Sequence, residues 1–186
     1  MHLKILQKKF SPFRSSYQIL ENDQIIGTAK SIIFSLHKRI RYCDNNDNEI
    51  FQLKKFILTI HQKYGITFSN GNYLQMNGKS WIYDFYEIDL PDGMIEVHHQ
   101  RGVKVAIFRN EEQVAEIKKK RMTFLDGEEY DIQANAGFNK NLLVAICLAW
   151  DMGESTNKDD SIVSFDIGKI GPVKRKGAEN WRPKYY

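Results

Sequence analysis

Basic side chains carry most of the chemistry this sequence offers, and they come in short runs: Lys38-Arg39 with Arg41, Lys54-Lys55, Lys118-Lys119-Lys120-Arg121 and Lys8-Lys9. Ammonium and guanidinium groups gathered on one surface hold phosphate or carboxylate. Arg39 and Arg41, two apart on a strand, share one face while Ile40 and Tyr42 share the other, so this segment presents two cations outward and anchors itself inward. If the runs converge on one wall, an anionic membrane surface attracts them by roughly 1 kcal/mol per basic residue. Each run alone also suits a solvated rim or a guard on an exposed strand edge. The candidate anion-binding residues are Lys38, Arg39, Arg41, Lys54, Lys55, Lys118, Lys119, Lys120 and Arg121.

Other chemistry finds little support. Gly78-Lys79-Ser80 ends a stretch opened by Gly71, but six residues separate the two glycines where a phosphate-binding loop needs four. The following Trp81-Ile82-Tyr83 continues as a strand, so the helix N-terminus that completes a phosphate cradle is missing. Asp44 to Glu49 has the acidic alternation of a calcium loop without its glycine at the sixth position, and Lys55 stands where the bidentate glutamate belongs. A hairpin turn is the expectation there. His98 and His99 point to opposite faces of one strand and do not readily share a metal. His2, His37 and His61 are isolated, and no serine or cysteine is placed beside a base. No catalytic residue, metal or cofactor is therefore expected, and the protein is expected not to be an enzyme.

The 186 residues suit one domain with a sizeable core. A formal charge of +4, from 27 basic and 23 acidic residues, is a mild excess that falls short of a nucleic-acid binder. Lysines at positions 4, 8 and 9 interrupt the apolar run that a signal peptide needs, so the expected location is cytoplasmic. Leu142 to Trp150 is about half a membrane span, and no transmembrane segment is expected. Two cysteines, Cys43 and Cys147, match buried thiols in a reducing compartment.

The elements that must position these groups are mostly strands. Turn residues divide the first 134 residues into twelve segments: 3–10, 15–20, 24–33, 37–43, 49–56, 61–68, 72–76, 79–89, 94–100, 103–109, 112–121 and 128–134. Links this short make neighbours antiparallel. A tetrad with two apolar residues two apart recurs as Ser16-Tyr17-Gln18-Ile19, Arg39-Ile40-Arg41-Tyr42, Lys63-Tyr64-Gly65-Ile66, Phe85-Tyr86-Glu87-Ile88, Lys104-Val105-Ala106-Ile107 and Glu129-Tyr130-Asp131-Ile132, as expected of a repeated hairpin. Leu142 to Trp150 is apolar on every side, so the predicted helix at about 140–152 must be enclosed. Eleven or twelve strands close around a lumen wide enough for a helix. Burying these nine side chains contributes more than about 10 kcal/mol before entropy. A twelve-stranded antiparallel closed barrel around a central C-terminal apolar helix, mainly β, is thus expected for residues 1–152. Residues 153–186 form a polar, basic C-terminal extension with a weak strand from Ile162 to Ile167 and a Lys174-Arg175-Lys176 and Trp181 tail.

The turn Asp44 to Ile50, the Tyr130-Asp131-Ile132 strand and the closing Leu142 to Met152 segment resemble the LURP-one-related family over about residues 1–152. The resemblance implies the tubby-like fold, shared with tubby C-terminal domains and phospholipid scramblases, and with it a link to phosphoinositide or other anionic phospholipid headgroups. No residue-level motif for either activity carries over. The leading expectation is a non-enzymatic barrel, peripheral at the membrane, that binds an anionic phospholipid; the alternatives are a protein-interaction scaffold and, behind it, a scramblase-like lipid function.

Overall fold

The computed structural model describes residues 1–11, 14–32, 38–57, 59–80, 85–121, 127–159 and 173–185. Twelve strands follow one another: β1 (His2–Ser11), β2 (Arg14–Glu21), β3 (Gln24–Ile32), β4 (Arg39–Asp44), β5 (Glu49–Phe56), β6 (Lys63–Phe68), β7 (Tyr73–Gly78), β8 (Phe85–Leu90), β9 (Gly93–His99), β10 (Lys104–Arg109), β11 (Glu112–Arg121) and β12 (Glu128–Ala134). Each pairs antiparallel with its sequence neighbours, and β1 pairs with both β2 and β12, so the sheet closes into a barrel. Closure leaves no strand edge exposed.

The turns are as tight as their residues allow. Asn22-Asp23 and Asn110-Glu111 reverse the chain with positive φ at both residues, a conformation that Asn22, Asp23 and Asn110 tolerate well and that Glu111 adopts within the turn. The Asp44 loop is a hairpin turn: Asp44 Oδ1 accepts from the backbone N–H groups of Asn46 and Asn48 at 2.8 and 2.9 Å, so the carboxylate organises its own turn. The stretch from Gly71 to Gly78 that resembled a phosphate loop is largely strand β7.

The recurrent tetrads fall on the even-numbered strands. Tyr17 and Ile19, Ile40 and Tyr42, Tyr64 and Ile66, Tyr86 and Ile88, Val105 and Ile107, and Tyr130 and Ile132 are all buried and line the core. One helix, α1 (Lys140–Asp159), fills the barrel, and every residue from Leu142 to Trp150 is buried. Asn139 caps it, its Oδ1 accepting from Leu142 N–H at 3.1 Å. The helix continues past the expected end at 152: Glu154 to Asp159, expected as the start of the polar extension, form its last turns. The expected strand at Ile162–Ile167, and His37 with it, lie outside the described residues.

Candidate functional site

Strand register decides which cations meet. Across β3, β4 and β5 one row runs Lys30, Arg41, Gln52, and the next runs Ile32, Arg39, Lys54. Directly opposed residues of antiparallel strands share a face. Since Ile40, Tyr42, Phe51 and Leu53 point inward, Lys30, Arg39, Arg41 and Lys54 point outward together. Lys63 joins them from β6, with the Lys54 and Lys63 ammonium groups 4.9 and 5.9 Å from the centre of the Phe56 ring. Gly65 leaves room for this layer, because a Cβ there would meet the Tyr73 ring at 3.0 Å and the Phe56 ring at 3.2 Å. Among the described residues, no acidic side chain pairs with Lys30, Arg39, Arg41, Lys54 or Lys63. Lys38, exposed beside Arg39, extends the patch.

At the end of this wall, where β3 and β5 finish and β4 and β6 begin, three isoleucines face solvent: Ile32, Ile57 and Ile60, the last 76% exposed. Cations beside exposed aliphatic tips form a surface suited to the boundary between lipid headgroups and acyl chains.

The other expected basic residues go elsewhere. Lys55 and Lys119, expected on the surface, point into the barrel, because successive side chains of a strand alternate faces and both neighbours in each run cannot face out. Lys55 lies 5.9 Å from the Tyr64 ring, and burial, with Lys38 nearby, pulls its ammonium down to about 8. Lys119 sits between Glu128 at 2.8 Å and Glu154 at 2.7 Å. Burial lowers its pKa, but the two carboxylates outweigh burial and hold it above the ordinary lysine value. Lys118 and Lys120 do face outward, yet β11 lies on the far side of the barrel from β4 and β5. Glu116 engages Lys118 at 2.6 Å, and Glu129 and Asp131 engage Lys120 at 3.3 and 3.6 Å. The Arg121 side chain lies outside the described part of the structure. The basic runs therefore do not converge among the described side chains: Arg39, Arg41 and Lys54 share an open wall, while Lys118 and Lys120 are paired with carboxylates and Lys119 is buried.

Inside the barrel, the end where α1 emerges is polar. The Asp151 carboxylate accepts from Tyr17 Oη at 2.7 Å, from Gln7 Nε2 at 2.9 Å and from Tyr130 Oη. Burial pushes this carboxyl up to about 6, against the pull of the Tyr130 and Tyr17 hydrogen bonds. Tyr64 and Tyr86 donate to Gln62 Oε1 at 2.9 and 2.7 Å. His99 packs edge-on to Trp150, and burial pulls its pKa down to about 4 while Glu154 pulls the other way. His98, on the opposite face of β9 as its position predicts, stacks on Phe85 outside the barrel. Sequence patterning missed Asp151 as the anchor of the helix; its place directly after Trp150, inside the span of an enclosed helix, is the signal that could have found it.

The outer wall opposite the basic patch has its own occupant. Residues 173–185 lie across β9 to β11, with Arg175 on Glu96, Trp181 Nε1 donating to the Gln113 carbonyl at 3.1 Å and Lys184 on Glu112. Glu96 and Gln113 are site residues that sequence patterning missed, since nothing local marks them as partners of a segment some 70 residues away.

A closed antiparallel barrel plugged by its own helix, with a basic outer wall on β3 to β6, defines the class of fold to which the chain belongs. The chain belongs to the LURP-one-related family, whose family model matches residues 1–151. No curated protein and no solved structure matches the chain beyond chance. Among the described residues, no helix is long and apolar enough to cross a membrane.

Proposed function

We propose that this protein is a non-enzymatic, tubby-like barrel that docks on anionic phospholipid headgroups at a cytoplasmic membrane surface through the outer wall of β3 to β6. One observation carries this reading: Lys30, Arg39, Arg41, Lys54 and Lys63 share a face and, among the described residues, have no acidic partner, next to the exposed Ile32, Ile57 and Ile60. A cation already paired with a carboxylate has little left to offer a phosphate, whereas among the described residues no carboxylate pairs with these five. Each would contribute roughly 1 kcal/mol at an anionic surface, and the isoleucines add apolar contact at the acyl boundary. Co-sedimentation with phosphatidylcholine, phosphatidylserine-containing and phosphoinositide-containing vesicles, at low and high salt, tests it. Binding restricted to the anionic vesicles and weakened by salt is expected, because screening shortens the reach of surface charge. Binding to none of them would turn the assignment towards a protein-interaction scaffold.

A further inference from the structure

The segment 173–185 is held as a bound peptide is held. A closed barrel has no free strand edge to which an extended segment could add, and here two carboxamides do the work of an edge. Gln100 donates from Nε2 to the Arg175 carbonyl at 3.0 Å and accepts from Gly177 N–H at Oε1 at 3.1 Å. Gln113 accepts from Ala178 N–H at 2.8 Å, and its carbonyl receives the Trp181 indole N–H. The side chains are selected as well. Arg175 pairs with Glu96 and lies 5.2 Å from the Phe108 ring centre, while Lys174 stands 3.9 Å over the Phe85 ring. Gly177 presses against the wall, and a Cβ there would come within 2.9 Å of Ala106 Cβ. Backbone reading, two cation slots, a position that admits only glycine and an indole contact together make a recognition code.

The chain's own segment fills this surface incompletely. His98, 1% exposed beneath it, makes no hydrogen bond at Nδ1 or Nε2 among the described residues, and its Nε2 has only the Glu96 carboxylate at 3.6 Å, within ion-pair but beyond hydrogen-bond distance. Covering Nδ1 with no hydrogen bond, and Nε2 with only a long contact to Glu96, costs free energy that an occupant with a group to offer the imidazole would recover. Most residues of the segment stay exposed or half-exposed, so little apolar burial holds it down.

We propose that the outer face of β8 to β11 is a peptide-recognition surface for a Lys-Arg-x-Gly-Ala-x-x-Trp segment, which residues 174–181 fill in cis and which a polypeptide of the same chemistry from another protein can fill in their place. The cis segment acts as a competitor at high effective concentration. The test uses the full chain carrying K174E, R175E and W181A, which sets glutamates against Glu96 and removes the indole contact. A fluorescein-labelled peptide of residues 173–185 is titrated into it and followed by anisotropy. Micromolar binding is expected, at least tenfold tighter than to the wild-type chain, and weakened at least tenfold by G177L in the peptide or by E96K added to the barrel. These substitutions lie outside the core, so circular dichroism should be unchanged. Absence of binding up to 1 mM, or binding indifferent to both G177L and E96K, overturns the proposal.

Discussion

Two walls of the same barrel carry lysine and arginine at similar density in the sequence and present opposite surfaces to solvent. On β3 to β6 the cations stand opposite other cations and neutral residues, so their charge remains available. On β10 to β12, by contrast, register sets Lys118 across from Asp131, Lys120 across from Glu129, and Lys104 and Lys118 around the buried Glu116. Lys118, Lys119 and Lys120, from the run that looks strongest in the sequence, are thus the weakest candidates for an external anion. A charge becomes a site only where the neighbouring strand supplies no counter-charge, and in a closed sheet every strand has two such neighbours.

The sharpest way to test this contrast is to remove one cation from each wall. Lys119→Ala leaves Glu128 and Glu154 facing each other around a lost ammonium, and the cost expected for breaking a buried pair is about 3 to 5 kcal/mol. At about 2 to 4 °C per kcal/mol for a domain of this size, the melting temperature should fall by roughly 10 °C. Lys54→Ala should change stability by no more than about 0.5 kcal/mol, as surface substitutions do. Equal melting temperatures for the two variants would break the distinction between a structural and an available lysine.

A pH titration separates the interior groups that meet at the same end. His99 is held neutral with a pKa near 4, so the unfolded chain binds more protons than the folded one between about 6.5 and 4, and stability is lost as pH falls through that window. Asp151, raised to about 6 from 3.8, has the opposite sign: the folded state binds the extra proton, and stability is gained as pH falls from 6 towards 3.8. Each effect is on the order of 3 kcal/mol, and in the native protein they largely offset. Asp151→Asn should therefore melt progressively lower than wild type as pH drops from 6.5 to 4, measured by thermal circular dichroism across that range. Parallel profiles for the two proteins would mean that the two groups do not oppose one another.

The smallest effects concern the open surface. Arg39→Glu with Lys54→Glu should weaken binding to anionic vesicles by roughly fivefold or more for each residue, at about 1 kcal/mol per cation, and leave the fold intact. Lys118→Glu with Lys120→Glu should leave vesicle binding unchanged. The reverse ranking, read by the same co-sedimentation, would transfer the binding surface to β11.

Much of the fold was legible because it follows from local rules. Tyr17 and Ile19, Tyr64 and Ile66, and Tyr130 and Ile132 are two apart, and a period of two admits only a strand with one face buried. Asn22-Asp23 and Asn110 announce hairpins by their tolerance of positive φ. The same rule of alternation, applied to Lys54-Lys55 and to Lys118 through Arg121, would have sent one lysine of each adjacent pair inward. Glu96 and Gln113 were beyond such rules, since their partners Arg175 and Trp181 come from a distant part of the chain.

By itself the sequence determined the strand periodicity, the turns, and a helix too apolar to face water, and these three facts require an enclosing barrel because an apolar surface must be covered. Tertiary structure alone decided which charges survive as a surface. Pairing of β4 with β3 and β5 gathered Lys30, Arg39, Arg41 and Lys54, while pairing of β11 with β12 and the exit of α1 beside Lys119 consumed Lys118, Lys119 and Lys120. Charge availability depends on distances across strands and between chain ends, and those distances exist only once the barrel has closed.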